Sequence, residues 1–307
     1  MDQQRVLVTG GAGFIGSNLA NALVESNEVI VVDDGYLGTP ANLCDAVDYR
    51  EQSVLDEELP TDVDVVFHLA ALSSYAMHED EPTRGARVNV EGFVNTVTQA
   101  RNDGCETVVY ASTSSIYGDR TAPSPESLDV TVNTGYEASK LARERYAEYF
   151  SNHYDLALAG MRFFSVYQGY GGAEAHKGEY ANIIAQFADD IANGRSPAIY
   201  GDGTQTRDFT HVDDIVRALE RAAEHELDGI YNLGTGEQHD FNTVVELLNA
   251  ELGTDVSPEY VTNPIPEDVY VHDTMADCSA FRDATGWTPE IGFEEGIRRV
   301  CAQYTAS

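Results

Sequence analysis

The chain has 307 residues, 42% of them hydrophobic, enough to bury one large core with a smaller appendage. Its 52 acidic against 18 basic residues give a formal net charge of −34 and a pI near 4.3, which disfavours binding to nucleic acid or to anionic membranes. The acids are dispersed and only two lysines occur, a surface suited to molar salt, where a screening length of ~3 Å damps self-repulsion; a halophilic source is expected, with a merely acidic mesophile as the alternative.

The first predicted strand, over 5–9, runs into Gly10-Gly11-Ala12-Gly13-Phe14-Ile15-Gly16 and then a helical stretch through residue 24. Strand, glycine turn and helix in that order set the free amides and positive dipole end of a helix against a pyrophosphate. Gly11, Gly13 and Gly16 fit G-x-G-x-x-G, and Thr9, Gly10, Gly13 and Gly16 equally fit T-G-x-x-G-x-x-G. Such a string alone is weak, and its context strengthens it. A second strand over 28–32 ends in Asp33, twenty residues after Gly13, where an acid accepts hydrogen bonds from adenosine ribose hydroxyls. Asp33 and Asp34 also repel a 2′-phosphate, so NAD is expected rather than NADP.

Further strands over 63–70, 106–112 and 156–164 alternate with helices over 83–102 and 136–153. This alternation predicts an α/β fold with a doubly wound parallel sheet, whose ligands bind at the carboxyl ends of the strands. The glycine turn follows the first strand, Asp33 the second, Leu69-Ala70-Ala71 the fourth and Ser112 to Ser115 the fifth. On the helix over 136–153, Tyr136 and Lys140 are one turn apart, which sets an ammonium beside a phenol, favours phenolate and suits the tyrosine to acid/base work near neutral pH. After Ser165 the pattern loosens. The expected division is a main domain of 1–164 plus about 202–236, and a smaller lobe of about 165–201 plus 237–307, with 209–222 and 230–233 returning to the main sheet. Cys44, Cys105, Cys278 and Cys301 are far apart, with no C-x-x-C and no Cys/His cluster; they read as thiols of a reducing cytosol, and no metal site is expected. No signal peptide is visible and no stretch approaches eighteen uninterrupted apolar residues, so a cytoplasmic protein is expected.

The chain resembles the extended short-chain dehydrogenase/reductase family, most closely its nucleotide-sugar epimerases of the UDP-glucose 4-epimerase type. The resemblance covers nearly the whole length. It rests on Thr-Gly-Gly-Ala-Gly-Phe-Ile-Gly at 9–16, His-Leu-Ala-Ala at 68–71, Asn-Val-Glu-Gly at 89–92, Ser-Thr-Ser-Ser-Ile-Tyr-Gly at 112–118, Tyr136 with Lys140, and Gly-Asp-Gly-Thr-Gln-Thr-Arg-Asp-Phe-Thr-His-Val-Asp-Asp at 201–214. It implies a Rossmann domain that holds NAD through the glycine turn with Phe14 and Ile15, through Asp33 and Asp34, and through Leu69 to Ala71. It makes Tyr136 the acid/base and Lys140 the residue that lowers its pKa and holds the nicotinamide ribose. Thr113 falls where the family hydrogen-bonds the reacting hydroxyl, Phe163 near the nicotinamide, and Arg207 where a nucleotide diphosphate is held. The implied reaction is reversible hydride transfer at C4 of a UDP-sugar in a homodimer paired through the helices over 83–102 and 136–153.

The sequence departs from the family at several places. Ser114 and Ser115 replace the Asp-Glu of dehydratases, which makes 4,6-elimination a minor alternative. Ser165 replaces an asparagine that often touches substrate, and Ile265-Pro266-Glu267-Asp268 replaces an Arg-Pro-Gly-Asp anchor. Arg207, Lys177 or His272 is then left to hold the substrate. An NAD-dependent dehydrogenase of a free aldose is the main alternative.

Overall fold

The computed structural model describes residues 1–267 and 269–305; Asp268 lies outside the described residues. In chain order its elements are β1 (Arg5–Thr9), α1 (Phe14–Leu23), β2 (Glu28–Asp33), β3 (Asp48–Glu51), β4 (Val65–His68), α2 (Tyr75–Asp80), α3 (Pro82–Ala86), α4 (Gly92–Asp103), β5 (Thr107–Ala111), α5 (Gly135–Tyr154), β6 (Ala157–Phe163), β7 (Val166–Tyr167), α6 (Ile183–Ala192), β8 (Ala198–Tyr200), β9 (Thr206–Arg207), β10 (Thr210–His211), α7 (Val212–Glu224), β11 (Gly229–Leu233), β12 (His239–Asp240), α8 (Phe241–Leu252), β13 (Glu259–Val261), α9 (Ser279–Thr285) and α10 (Phe293–Thr305).

Seven strands form one sheet in the order β11-β6-β5-β4-β1-β2-β3, with every neighbouring pair parallel. Parallel strands are covered on both faces, which is why β1, β4 and β5 are near-continuous apolar runs. Their side chains alternate between two cores. Val6, Val8, Val31 and Phe67 pack with Leu19 of α1 and with Ile215 and Leu219 of α7. Leu7, Ile30, Val66 and Val108 pack with Phe93 and Val97 of α4 and with Ala147 and Phe150 of α5. Burying a side chain of this size contributes roughly 1.5–3 kcal/mol. Helices therefore sandwich the sheet, in the doubly wound Rossmann arrangement.

The strand order reverses between β1 and β4, and the crevice this opens lies at the carboxyl ends. Thr9 pairs with both Val32 and His68, and His68 with Tyr110, so β1, β2, β4 and β5 end at one level and their following loops share that crevice. A third core joins Ile184, Phe187 and Ile191 of α6 with Val244 and Leu248 of α8 and Ile297 and Val300 of α10, together with Phe209 and Tyr167. This is the smaller C-terminal lobe.

Two elements differ from the sequence reading. The helix expected over 83–102 is broken into α3, a wider π turn over Arg87–Glu91, and α4. Asn89 in that turn points inward, where its side chain bonds Leu72 N and O at 2.9 and 3.0 Å and Ser139 Oγ at 2.9 Å. The edge strand β3 carries no fully buried residue and so offers no apolar signal.

Candidate active site

The crevice holds a cavity of about 280 Å³ bounded by the glycine turn, the ends of β2, β4, β5 and β6, the start of α5 and a loop of the smaller lobe. At the turn, Gly10 has φ 68° and a Cβ there would meet Ala70 N at 2.5 Å; a Cβ on Gly16 would meet Gly10 O at 2.3 Å. Only glycine lets the turn pack this tightly between β4 and α1. Helix α1 starts at Phe14 with no side-chain cap and no acid in its first turn, so its free amides face the cavity with Gly13, Phe14, Ile15 and Gly16 along the wall. That is an anion site by construction.

Asp33, at the end of β2, is nearly buried and accepts Ala12 N at 3.1 Å and Gly35 N at 2.9 Å. Burial pushes its carboxyl pKa up, and those two amides pull it back. A carboxylate has about four acceptor positions, so two amides leave capacity for hydroxyls. Asp34 also lines the cavity and lies 3.6 Å from Arg84, whose guanidinium stacks 3.8 Å over the Tyr36 ring. Leu69, Ala70 and Ala71 form the opposite wall. A glycine cradle, bare helix amides and a carboxylate with spare acceptors fit a dinucleotide.

At the other end of the cavity Thr113, Tyr136, Lys140, Phe163 and Ser165 come together. The Thr134/Glu137 capping box starts α5, with Thr134 Oγ1 accepting Glu137 N at 3.2 Å and Glu137 Oε2 accepting Thr134 N at 3.2 Å. It fixes the turn that carries Tyr136. Lys140 is 2% exposed, donates to Ala111 O at 3.1 Å and lies 5.8 Å from the Tyr136 ring centroid. Ser165 takes φ 30°, a strained value for a residue with a Cβ, at the bend between β6 and β7.

The electrostatics differ from the expectation that Lys140 pulls the Tyr136 phenol down. Burial pushes the Tyr136 pKa up, against the Thr113 hydroxyl and the charge of Arg143. Burial and the same Arg143 push Lys140 well below the usual ammonium range. Arg143 is the residue that sequence reasoning missed. It is fully buried, and its guanidinium donates to Asn89 O at 2.5 Å, Ala70 O at 2.7 Å and Ala111 O at 3.3 Å. It thus ties the ends of β4 and β5 to the π turn. Its position seven residues after Tyr136 and three after Lys140, on one helix face, is the signal that could have found it.

The remaining candidates lie elsewhere. Ser114 opens the 3₁₀ turn behind Thr113 and does not line the cavity, while Ser115 shares a 2.6 Å hydrogen bond with Thr113. Lys177 does line it, with Nζ 5.5 Å from the Phe14 ring of the glycine turn. Arg207 and His272 adjoin one another outside the cavity lining. Arg207 donates to the carbonyls of Thr206, His272 and Val271 at 2.8, 2.7 and 2.6 Å, between the rings of Phe241 and Tyr270. His272 Nδ1 lies 3.0 Å from Asp273. Ligand atoms of Asp119, His272 and Asp273 come within 4.8 Å of one another, but amides and a hydroxyl of Asp273 and Thr206 already occupy carboxylate oxygens there. Among the described residues no helix is long and apolar enough to cross a membrane.

Comparison with known proteins agrees with this geometry. The family described as NAD dependent epimerase/dehydratase matches residues 6–234. A UDP-glucose 4-epimerase of Mycolicibacterium smegmatis is 32% identical over 309 residues, covering 96% of each chain. A UDP-N-acetyl-alpha-D-glucosaminuronate decarboxylase of Bacillus cytotoxicus is also 32% identical, over 317 residues and 96% of each chain. The crystal structure of Thermotoga maritima UDP-glucose 4-epimerase with UDP-glucose superposes with a TM-score of 0.90 at 32% identity, over 98% of this chain and 99% of that one. The chain belongs to the NAD dependent epimerase/dehydratase family, and is an NAD-dependent enzyme of the sugar-nucleotide epimerase type within the extended short-chain dehydrogenases/reductases.

Proposed function

We propose that the enzyme inverts C4 of a UDP-hexose, the UDP-glucose/UDP-galactose pair first, by oxidation to a 4-keto sugar and return of the hydride to the opposite face. The observation that carries this reading is the convergence of Thr113, Tyr136 and Lys140 at one end of the cavity whose other end is the glycine turn and Asp33. Bound NAD supplies a hydride acceptor and a positive charge at its nicotinamide. Tyr136 removes the 4-hydroxyl proton as the hydride leaves and restores it on return. Thr113 orients that hydroxyl, and Lys140, fixed by the Ala111 carbonyl, positions the ribose side of the cofactor. The positive charge of a bound nicotinamide, added to that of Arg143, would oppose the burial that raises the Tyr136 pKa. Phe163 and Ser165 wall the sugar side, Ser115 buttresses Thr113 through their 2.6 Å hydrogen bond, and Arg207, already oriented by three carbonyls, holds the substrate diphosphate with its free donors, His272 at its flank.

The Bacillus relative supports a second reading, in which the same 4-keto step on a uronic acid sugar ends in loss of CO₂. Incubation with UDP-glucose, UDP-galactose, a UDP-uronic acid and free aldoses, followed by NMR and NADH absorbance, separates these. Exchange of the two hexoses without net NADH supports the epimerase; CO₂ release supports the decarboxylase; stoichiometric NADH from a free aldose supports a sugar dehydrogenase and sinks the proposal. Tyr136→Phe should lower kcat by about 10²–10⁴-fold while leaving NAD content intact.

A further inference from the structure

We propose that Lys177 is a clasp for the cofactor's diphosphate, reaching from the smaller lobe to the glycine turn, and that it sets how slowly the dinucleotide leaves. The loop that carries it is fastened at both ends. Glu174, fully buried, accepts the amides of Gln168 and Gly169 at 3.0 Å each and of Asn182 at 2.5 Å. Gln168 and Asn18 of α1 exchange reciprocal amide hydrogen bonds of 3.0 and 2.8 Å. His176 meets Asn42 at 3.1 Å, and Asn42 in turn reaches Ala12 O at 3.3 Å. A segment of the smaller lobe is thereby held against the glycine turn.

Lys177 sits between these ties, half-buried, with Nζ 5.5 Å from the Phe14 ring centroid. It has no hydrogen-bond or ion-pair partner among the described residues, although the chain carries 52 acids. Lys140, the only other lysine, has the Ala111 carbonyl. The nearby carboxylate of Glu174 is taken up by three amides, and burial holds the Lys177 pKa down despite it. A half-buried ammonium without an acceptor, next to uncapped helix amides, calls for anionic oxygens. A diphosphate supplies them, and two are available, that of the dinucleotide and that of the substrate. The position against Phe14, with the neighbouring His176 tied through Asn42 to Ala12 of the glycine turn, assigns it to the dinucleotide.

The test measures NADH release from preloaded protein by fluorescence, for wild type, K177R and K177M, with UDP affinity measured by calorimetry alongside. K177M should release NADH about tenfold faster or more and K177R within about threefold of wild type, with UDP affinity unchanged. Because the chain has only two lysines, wild-type protein gives a second reading: NAD should protect Lys177 from amine acylation, read by mass spectrometry, and UDP alone should not. An unchanged NADH release rate in K177M, or protection by UDP and not by NAD, overturns the proposal. Neither readout depends on which sugar is turned over.

Discussion

At the scale of single residues, the site buries two positive charges whose hydrogen bonds go to main-chain carbonyls. Arg143 and Lys140 spend their donors on main-chain carbonyls, and both charges bear on His68, which is fully buried behind the cavity with Nδ1 3.1 Å from Thr9 Oγ1. Burial first, then those two charges, hold the His68 pKa well below its ordinary 6.5. His78, His176, His211 and His239 are lowered too, each mainly by burial. A group that stays neutral in the fold but takes a proton when unfolded favours the unfolded chain as pH drops, so stability present above 6.5 is lost below it. The expected outcome is a Tm that falls steadily from pH 7 to 5.5, with a shallower slope in His68→Asn. A Tm that is flat or rises over that interval would show that neutral buried histidines do not dominate the pH dependence there.

At the scale of elements, a buried network centred on Glu144 joins α5 to the sheet. Glu144 accepts Ser112 Oγ at 2.5 Å and the Arg162 guanidinium at 2.9 and 2.7 Å; Arg162 donates onward to Tyr117, and Tyr117 to Asn232, each at 2.7 Å. Removing one partner strands a buried charge, so Glu144→Ala should cost about 3–5 kcal/mol in urea unfolding. Thr134→Ala, which removes only a cap, should cost about 1 kcal/mol. If the two cost the same, the network is not what anchors the helix. The sequence made the ends of β1, β2, β4 and β5 legible because fully buried parallel strands are apolar runs bounded by turn residues, and it brought Gly10, Asp33, Ala70 and Tyr136 to one crevice through topology alone. It did not disclose the π turn at Asn89, whose side chain bonds Leu72 and Ser139 far along the chain, or the role of Arg143, because helical spacing marks its face but not the backbone carbonyls it serves. It misjudged the Tyr136 pKa for a related reason: a spacing of four residues reports proximity, whereas burial of the whole site decides the direction.

At the scale of the molecule, the net charge of −34 acts against both compactness and association. We propose a homodimer through α4 and α5, whose outer surface carries Tyr146 and Tyr149 at 43% exposure each and Tyr154 at 40%, with Arg101 of α4 stacked 4.3 Å over the Tyr154 ring. Exposed aromatics clustered along α5 beside Arg101 of α4 are an interface composition. Pairing two copies doubles the charge, 2 × (−34) = −68, so the same contact should be weak in dilute buffer and strong in concentrated salt. Raising KCl from about 0.1 to about 2 M shortens the screening length from ~10 Å to under ~3 Å and removes most of the repulsion between surface carboxylates. Light scattering should therefore pass from monomer to dimer over that range, and Tm should rise with it by several degrees. Tyr146→Glu with Tyr149→Glu should abolish the dimer while retaining the rise in Tm that comes from screening within one chain. A wild-type monomer at high salt would refute the interface, and a Tm indifferent to salt would refute the reading of the surface as halophilic, so the two ideas fail separately.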